Sequence, residues 1–163
     1  MLGWVSPVLL AVTLIAGCGF HLRGQADLSS ELARTHIVGV SPYSEFAANL
    51  RQQLRANGVQ VVEAEQSTST LRITRNVSGK RVLSVDQNGK VLEFELYSEI
   101  SFEVTGQDKT LLLKNQTISL SRAFLFDVND VLGKAEEEAL LREDLQEDVV
   151  RLIIYRLQTI GKS

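Results

Sequence analysis

Hydrophobic positions along the chain fall into several distinct patterns. Residues 8–16 form an apolar run with Thr13 as its one polar member. Phe46, Leu50 and Leu54 recur every fourth residue, the spacing of one helix face. Leu92, Phe94, Leu96, Ile100, Phe102 and Val104 alternate with Glu93, Glu95, Glu99 and Glu103. That is the period of a strand with one buried and one wet face. Over 132–160, Leu141, Leu145, Val149, Leu152, Ile153 and Ile160 lie near one stripe, which predicts a long amphipathic helix.

Punctuation between these patterns predicts the remaining elements. A short strand over 36–40 ends at Ser41-Pro42, and Ser41 or Ser44 caps the helix that carries Phe46. Asn57-Gly58 stops that helix, and a second strand covers 59–62. So compact a strand–helix–strand unit implies a right-handed crossover between parallel strands. Residues 67–70 read as a turn or loop. Asn88-Gly89 signals a two-residue type I′ hairpin, pairing Val85 with Leu92 and Leu83 with Phe94. Ile73 and Val77 then share a face with Arg75 and Arg81, a conflict that a bulge at Gly79 would resolve. After a turn over 106–109, Leu112, Ile118, Leu120, Phe124 and Phe126 mark one face of a third strand. Hairpins this long project beyond a small domain, so their free end needs a bend or a partner.

Composition divides the chain in two. There are 163 residues, with 17 Lys and Arg against 20 Asp and Glu, a formal charge of −3. This fits one domain and gives no basic surplus of the kind nucleic-acid binding requires. No charged side chain precedes Arg23. The run over 8–16 is too short for a membrane-spanning helix and suits the core of a secretory signal peptide. Ile15-Ala16-Gly17-Cys18 resembles a lipobox, in which the cysteine is acylated and the chain is cut just before it. Residues 1–17 are therefore expected to be a signal peptide and 18–35 a lipidated tether, leaving 36–163 as a single domain. Cys18 is the expected lipidation site. It is the only cysteine, so no intrachain disulfide can form. By resemblance to bacterial lipoproteins, Gly19 after the cysteine favours sorting to the outer membrane.

Catalytic signatures are missing. No H-E-x-x-H, G-x-S-x-G, Walker or G-x-G-x-x-G motif occurs. The alternating glutamates read as a solubilising face, and His36 as a structural residue of an apolar strand. The expectation is a protein that is not an enzyme, with no cofactor and no metal site. Arg75, Lys80, Arg81, Lys90, Arg122 and Lys134 are the basic residues able to meet a phosphorylated or carboxylated ligand.

Several short motifs occur together in order. They are Cys18-Gly19-Phe20-His21-Leu22-Arg23-Gly24, then Leu50-Arg51-Gln52-Gln53-Leu54 with Asn57-Gly58-Val59. Asn88-Gly89 leads into Glu93-Phe94-Glu95-Leu96, and Ser121-Arg122-Ala123-Phe124 is followed by Phe126-Asp127. In this order, and with the lipobox, the chain resembles the LptE family of lipopolysaccharide-assembly lipoproteins. The resemblance implies an α/β fold, a two-layer sandwich with two helices on a mixed four- to five-stranded sheet. It implies a lipid anchor in the outer membrane, on the periplasmic side. It also implies a 1:1 plug-and-barrel complex with the LptD β-barrel, whose assembly the family assists, and binding of lipopolysaccharide for insertion into the outer leaflet. Under that reading Arg81, Lys90 and Lys134 are expected lipopolysaccharide contacts at one end of the sheet. Long strands with a polar face suit a water-filled barrel lumen. Two other readings stay open: a periplasmic ligand-binding or scaffold lipoprotein with no barrel partner, and a lipid-anchored hydrolase.

Overall fold

A computed structural model describes residues 28–161, so Cys18 and the expected signal peptide lie outside the described part. Five strands form one sheet: β1 (Arg34–Val38), β2 (Gln60–Val61), β3 (Ser69–Val85), β4 (Val91–Gly106) and β5 (Leu111–Leu125). Their spatial order is β2-β1-β3-β4-β5. β1 runs parallel to both β2 and β3, whereas β3, β4 and β5 make an antiparallel meander. Helices α1 (Glu45–Ala56) and α2 (Val131–Leu157) lie on one face. The architecture is the expected α/β two-layer sandwich on a mixed sheet.

Local chemistry sets the helix ends. The Ser44 hydroxyl accepts from the Ala47 N–H at 3.2 Å and caps α1. Gly58, at φ +83°, lets the chain leave α1 in the left-handed region. The Asp130 carboxylate accepts from the Gly133 N–H at 3.2 Å and starts α2. Phe46, Leu50 and Leu54 of α1 meet Val149, Val150, Ile153 and Leu157 of α2 above Leu71, Ile73, Phe102 and Val104 of the sheet. Burial of such side chains contributes about 1.5–3 kcal/mol each, which makes this the main source of stability.

Packing begins ahead of His36. Leu32, in a short 3-10 turn over Ser30–Leu32, is 1% exposed and belongs to the core. Residues 67–70 are also more ordered than a loop. Ser69 opens β3 opposite Thr35, and the two buried hydroxyls hydrogen-bond at 3.0 Å. A polar strand start is tolerated there because each hydroxyl has a partner.

The expected register needs three corrections. β3 bulges at Thr74, between Ile73 and Arg75, and not at Gly79. Ile73 therefore faces the helices and Val77 the opposite side. Gly79 pairs in register with Tyr97, and a Cβ at Gly79 would stand 2.6 Å from the Tyr97 hydroxyl. The glycine makes room for that ring. The first hairpin is not a two-residue type I′ turn, because Asn88 lacks the required positive φ. Instead the Asp86 carboxylate accepts from the N–H groups of Asn88 and Lys90 at 2.8 and 2.9 Å, and Gly89 alone is left-handed, at φ +77°. Hydrogen bonds to that exposed carboxylate, the Lys90 N–H first, lower its pKa. The longer turn pairs Val82 with Phe94 and Val85 with Val91, with further irregularity around Leu83.

Candidate functional site

β3, β4 and β5 contain 17, 16 and 15 residues. At roughly 3.3 Å per residue they reach about 50 Å. The 27 residues of α2 span only about 40 Å, and the shorter α1 covers the base alone. The far end of the meander, the tip, thus extends past most of its cover. A satellite core of Leu96, Phe124 and Leu145, with Phe94, Leu120 and Leu141 against it, holds the tip to α2. Phe94 meets Phe126 edge-on at 5.4 Å between ring centroids, and the Lys80 ammonium sits 4.7 Å over the Phe94 ring. Beyond this cluster Val82, Leu83, Val85, Leu92, Leu125 and Leu132 stand 45–83% exposed. Val82 and Leu83 are adjacent on one strand, so neither face of β3 is polar there.

The three expected lipopolysaccharide contacts all lie toward this end, but on different surfaces. Arg81 is on the sheet face away from the helices, ion-paired with Glu95 and 5.5 Å over the Tyr97 ring. The Ser121 hydrogen bond, then that of Arg81, lowers the pKa of Glu95. Lys134 is in the first turn of α2, paired with Glu137 at 2.7 Å. Lys90 sits in the turn itself. Among the described residues no carboxylate lies within 4.0 Å of its ammonium. Of the three, only Lys90 is an uncommitted cation. Lys80, another basic residue of β3, faces α2 and pairs with Glu138 at 2.6 Å. The apolar fringe was not singled out from the sequence, although Val82-Leu83 and Val131-Leu132 break the alternation and stripe rules.

The face without helices is polar. Arg72 pairs with Glu103, Arg75 with Glu99 and Arg81 with Glu95, while Ser84 donates to Glu93 at 2.6 Å. Ser101 and Thr117 share a hydrogen bond at 2.9 Å, and Thr74 in the bulge donates to Asn115 at 2.9 Å. This is a ladder of satisfied polar pairs on a wet surface. His36 holds a structural contact, its Nδ1 lying 3.0 Å from the Val62 carbonyl. Among the described residues no helix is long and apolar enough to cross a membrane.

The family model for LptE, lipopolysaccharide assembly, matches residues 32–157, nearly the whole described domain. The chain belongs to the LptE family. Its relatives include the LPS-assembly lipoprotein LptE of Photorhabdus laumondii, 30% identical over 94% of this chain and 84% of the relative. Lipoprotein B of Nitrosomonas europaea has a similar structure, with a TM-score of 0.73 and 30% identity over 86% of this chain and 91% of that one. The rare lipoprotein B of Shewanella oneidensis aligns with a TM-score of 0.65 and 25% identity, covering 75% and 91%. The sequence is thus shared with lipoproteins named LptE, and the sandwich with lipoproteins of known structure.

Proposed function

We propose that this LptE-family chain is a lipid-anchored outer-membrane component of lipopolysaccharide transport. In this reading Cys18 carries the lipid, and the α/β domain expected over 36–163 sits 1:1 in the lumen of an LptD barrel, assisting its assembly and plugging it. The domain also binds lipopolysaccharide on its way to the outer leaflet. The role is non-catalytic.

The observation that carries this reading is the overhanging tip. It combines an exposed apolar fringe with the free ammonium of Lys90, and its neighbours Arg81 and Lys134 are held by single exchangeable ion pairs. Exposed apolar surface of this kind marks an interaction site, and a cation beside it suits an acylated, phosphorylated lipid. The paired polar face supports contact with the polar wall of a barrel lumen.

The decisive experiment solubilises outer membrane in detergent and purifies the tagged full-length chain. A stoichiometric β-barrel should come with it, and lipopolysaccharide should bind the purified complex. R81E, K90E and K134E together should weaken lipid binding while the barrel still co-purifies. Unchanged lipid binding would remove these residues from the site, and the absence of any barrel would sink the plug reading.

A further inference from the structure

We propose that the cleft between α1 and α2 is a binding site for a neutral saccharide. Where the helices diverge, a cleft of about 800 Å³ opens onto the sheet. That is within the usual range for ligand sites. Its floor is anomalous. The Thr74 bulge turns Asn76 and Ser78 toward the helices, and Ser98 lies in phase with buried Leu96 and Ile100. Ser78 and Ser98 are direct cross-strand partners. Asn76 and Ser78 are exposed and Ser98 half-buried, so the helix-facing side of the sheet is open and polar where the cleft lies. They leave space where Leu or Ile would fill a core.

The walls add Asn49 and Gln52 from α1 and Gln146 from α2. None of these six side chains makes a hydrogen bond to another described residue. None is a buried, unsatisfied group either, so their donors and acceptors face open solvent. Elsewhere in the domain polar side chains are largely committed to caps, turns and ion pairs. Here neutral amides and hydroxyls converge uncommitted.

Charge around the cleft selects the ligand class. Glu45, Glu143 and Glu147 line it, and its one cation, Arg142, is held by Glu138 at 2.6 Å. A phosphate or carboxylate would meet net negative charge and be disfavoured. Sugar hydroxyls donate and accept, as these amides and serines do. Leu96, Ile100 and Leu145 lie buried beneath the cleft, so the surface offered to a ligand is the polar one. Among the described residues, the edge of β3 away from β4 is unpaired beyond Arg72, so a polypeptide adding a strand there is the competing occupant that the test separates from a sugar. Assigning the sugar to lipopolysaccharide rests on the function proposed above. The preference for a neutral glycan does not.

The test uses the full-length chain, ¹⁵N-labelled and held in detergent. It is titrated separately with a phosphate-free neutral oligosaccharide of lipopolysaccharide-core composition and with a linear neutral glucan of equal length. Saturable shifts of the side-chain amides of Asn49, Gln52, Asn76 and Gln146 are expected with the core sugar, and weaker ones with the glucan. Asn76→Ala should weaken binding roughly two- to tenfold, the range for losing one neutral hydrogen bond. Ser98→Leu should abolish it by filling the floor, with the backbone spectrum retained in both variants. Equal response to both sugars would support the glycan site and overturn its lipopolysaccharide source. No saturable shift with either sugar up to roughly 10 mM, where a millimolar site would be mostly filled, would overturn the proposal. So would shielding of these amides by a co-purified barrel that the sugar cannot displace, which would reassign the cleft to a polypeptide. The sugar titration of the unaltered chain reads the cleft and lipopolysaccharide binding by the purified complex reads the tip, so failure of the lipid site and failure of the cleft are separable.

Discussion

At the base of the meander, Leu71, Ile73, Phe102 and Val104 lie under both helices and are 0–4% exposed. At the tip of the same strands, Val82, Leu83, Val85 and Leu92 are 45–51% exposed. Residue type barely changes between the two regions. What changes is cover: α1 reaches only the base, and α2 reaches the tip with its first turns alone. Hydrophobic alternation tells which side of a strand seeks burial, but not whether the fold supplies something to bury it. The apolar surplus at the tip is therefore surface available to another molecule, whereas the base is the domain's own core.

The largest test of this division compares one residue from each end. Phe102→Ala should lower unfolding stability by about 3–5 kcal/mol, the usual cost of emptying a packed aromatic site. Leu83→Ser should change it by no more than about 0.5 kcal/mol. Urea denaturation of both variants checks this, and equal losses would mean that the tip is part of the core. Next in size is Gly39→Ala, where β1 ends against the β3 bulge. Gly39 has φ +88°, and a Cβ there would stand 2.0 Å from the Ile73 carbonyl oxygen. Strain in the left-handed region alone costs about 1–3 kcal/mol, and the overlap with backbone adds to it. The same denaturation series should show the loss, and an unchanged midpoint would mean the bulge can move aside.

This division also explains what could be read in advance. β4 was legible because every core-facing position, from Phe94 to Val104, is apolar or small and the intervening residues are mostly acidic. α1 was legible because its caps and face agree. The tip register was not, because Asn88-Gly89 is a strong two-residue signal and the competing Asp86 carboxylate contacts lie outside it. The bulge was placed at Gly79 on composition. Only cross-strand pairing reveals that Gly79 accommodates Tyr97 and that Thr74 carries the bulge. Among the basic residues, the hairpin-tip position of Lys90 is legible from Asn88-Gly89, while its lack of an ion pair among the described residues is seen only in the structure. The neutralisation of Arg81 by Glu95 and of Lys134 by Glu137 depends on register and helix start, which composition does not show. Ser98 carries a readable signal, since it interrupts the apolar phase between Leu96 and Ile100, whereas the turn of Asn76 and Ser78 toward the helices depends on the Thr74 bulge.

A smaller effect sharpens how the tip is held. Lys80 and Arg142 converge on Glu138, tying β3 to α2. Burial alone would raise the Glu138 pKa, but hydrogen bonds and charge from Lys80 and Arg142 outweigh it and lower the value below the ordinary 4.5. A carboxylate with a depressed folded pKa stabilises above its unfolded pKa, and that contribution is lost as pH falls through the folded value. Glu138→Gln should therefore cost about 0.5–1 kcal/mol near neutrality, as partly exposed pairs do. It should cost progressively less as pH drops below 4.5. Urea midpoints of both proteins across that range decide the matter, and a pH-independent difference would show that the ion pairs are not its source.

The smallest single effect, at Lys109, comes from comparing the two hairpin turns themselves. Both use one left-handed residue after a carboxylate-braced turn: Gly89 at φ +77° at the tip, and Lys109 at φ +64° at the base. In the second, the Gly106 N–H donates to the Thr110 carbonyl at 2.8 Å, and Asp108 accepts from the Thr110 N–H at 3.1 Å. Glycine occupies the left-handed region without steric cost, whereas a residue with a Cβ is strained there by about 1–2 kcal/mol. Glycine also brings a more flexible unfolded chain, which offsets part of that gain. Lys109→Gly should thus stabilise by about 0.5 kcal/mol, and Gly89→Ala should destabilise by about 1 kcal/mol. These opposite signs at matched positions follow from backbone geometry alone, because neither side chain joins a core. If Lys109→Gly destabilised the domain, the lysine side chain would have a role at the base turn that its conformation does not explain, and the equivalence of the two turns would fail.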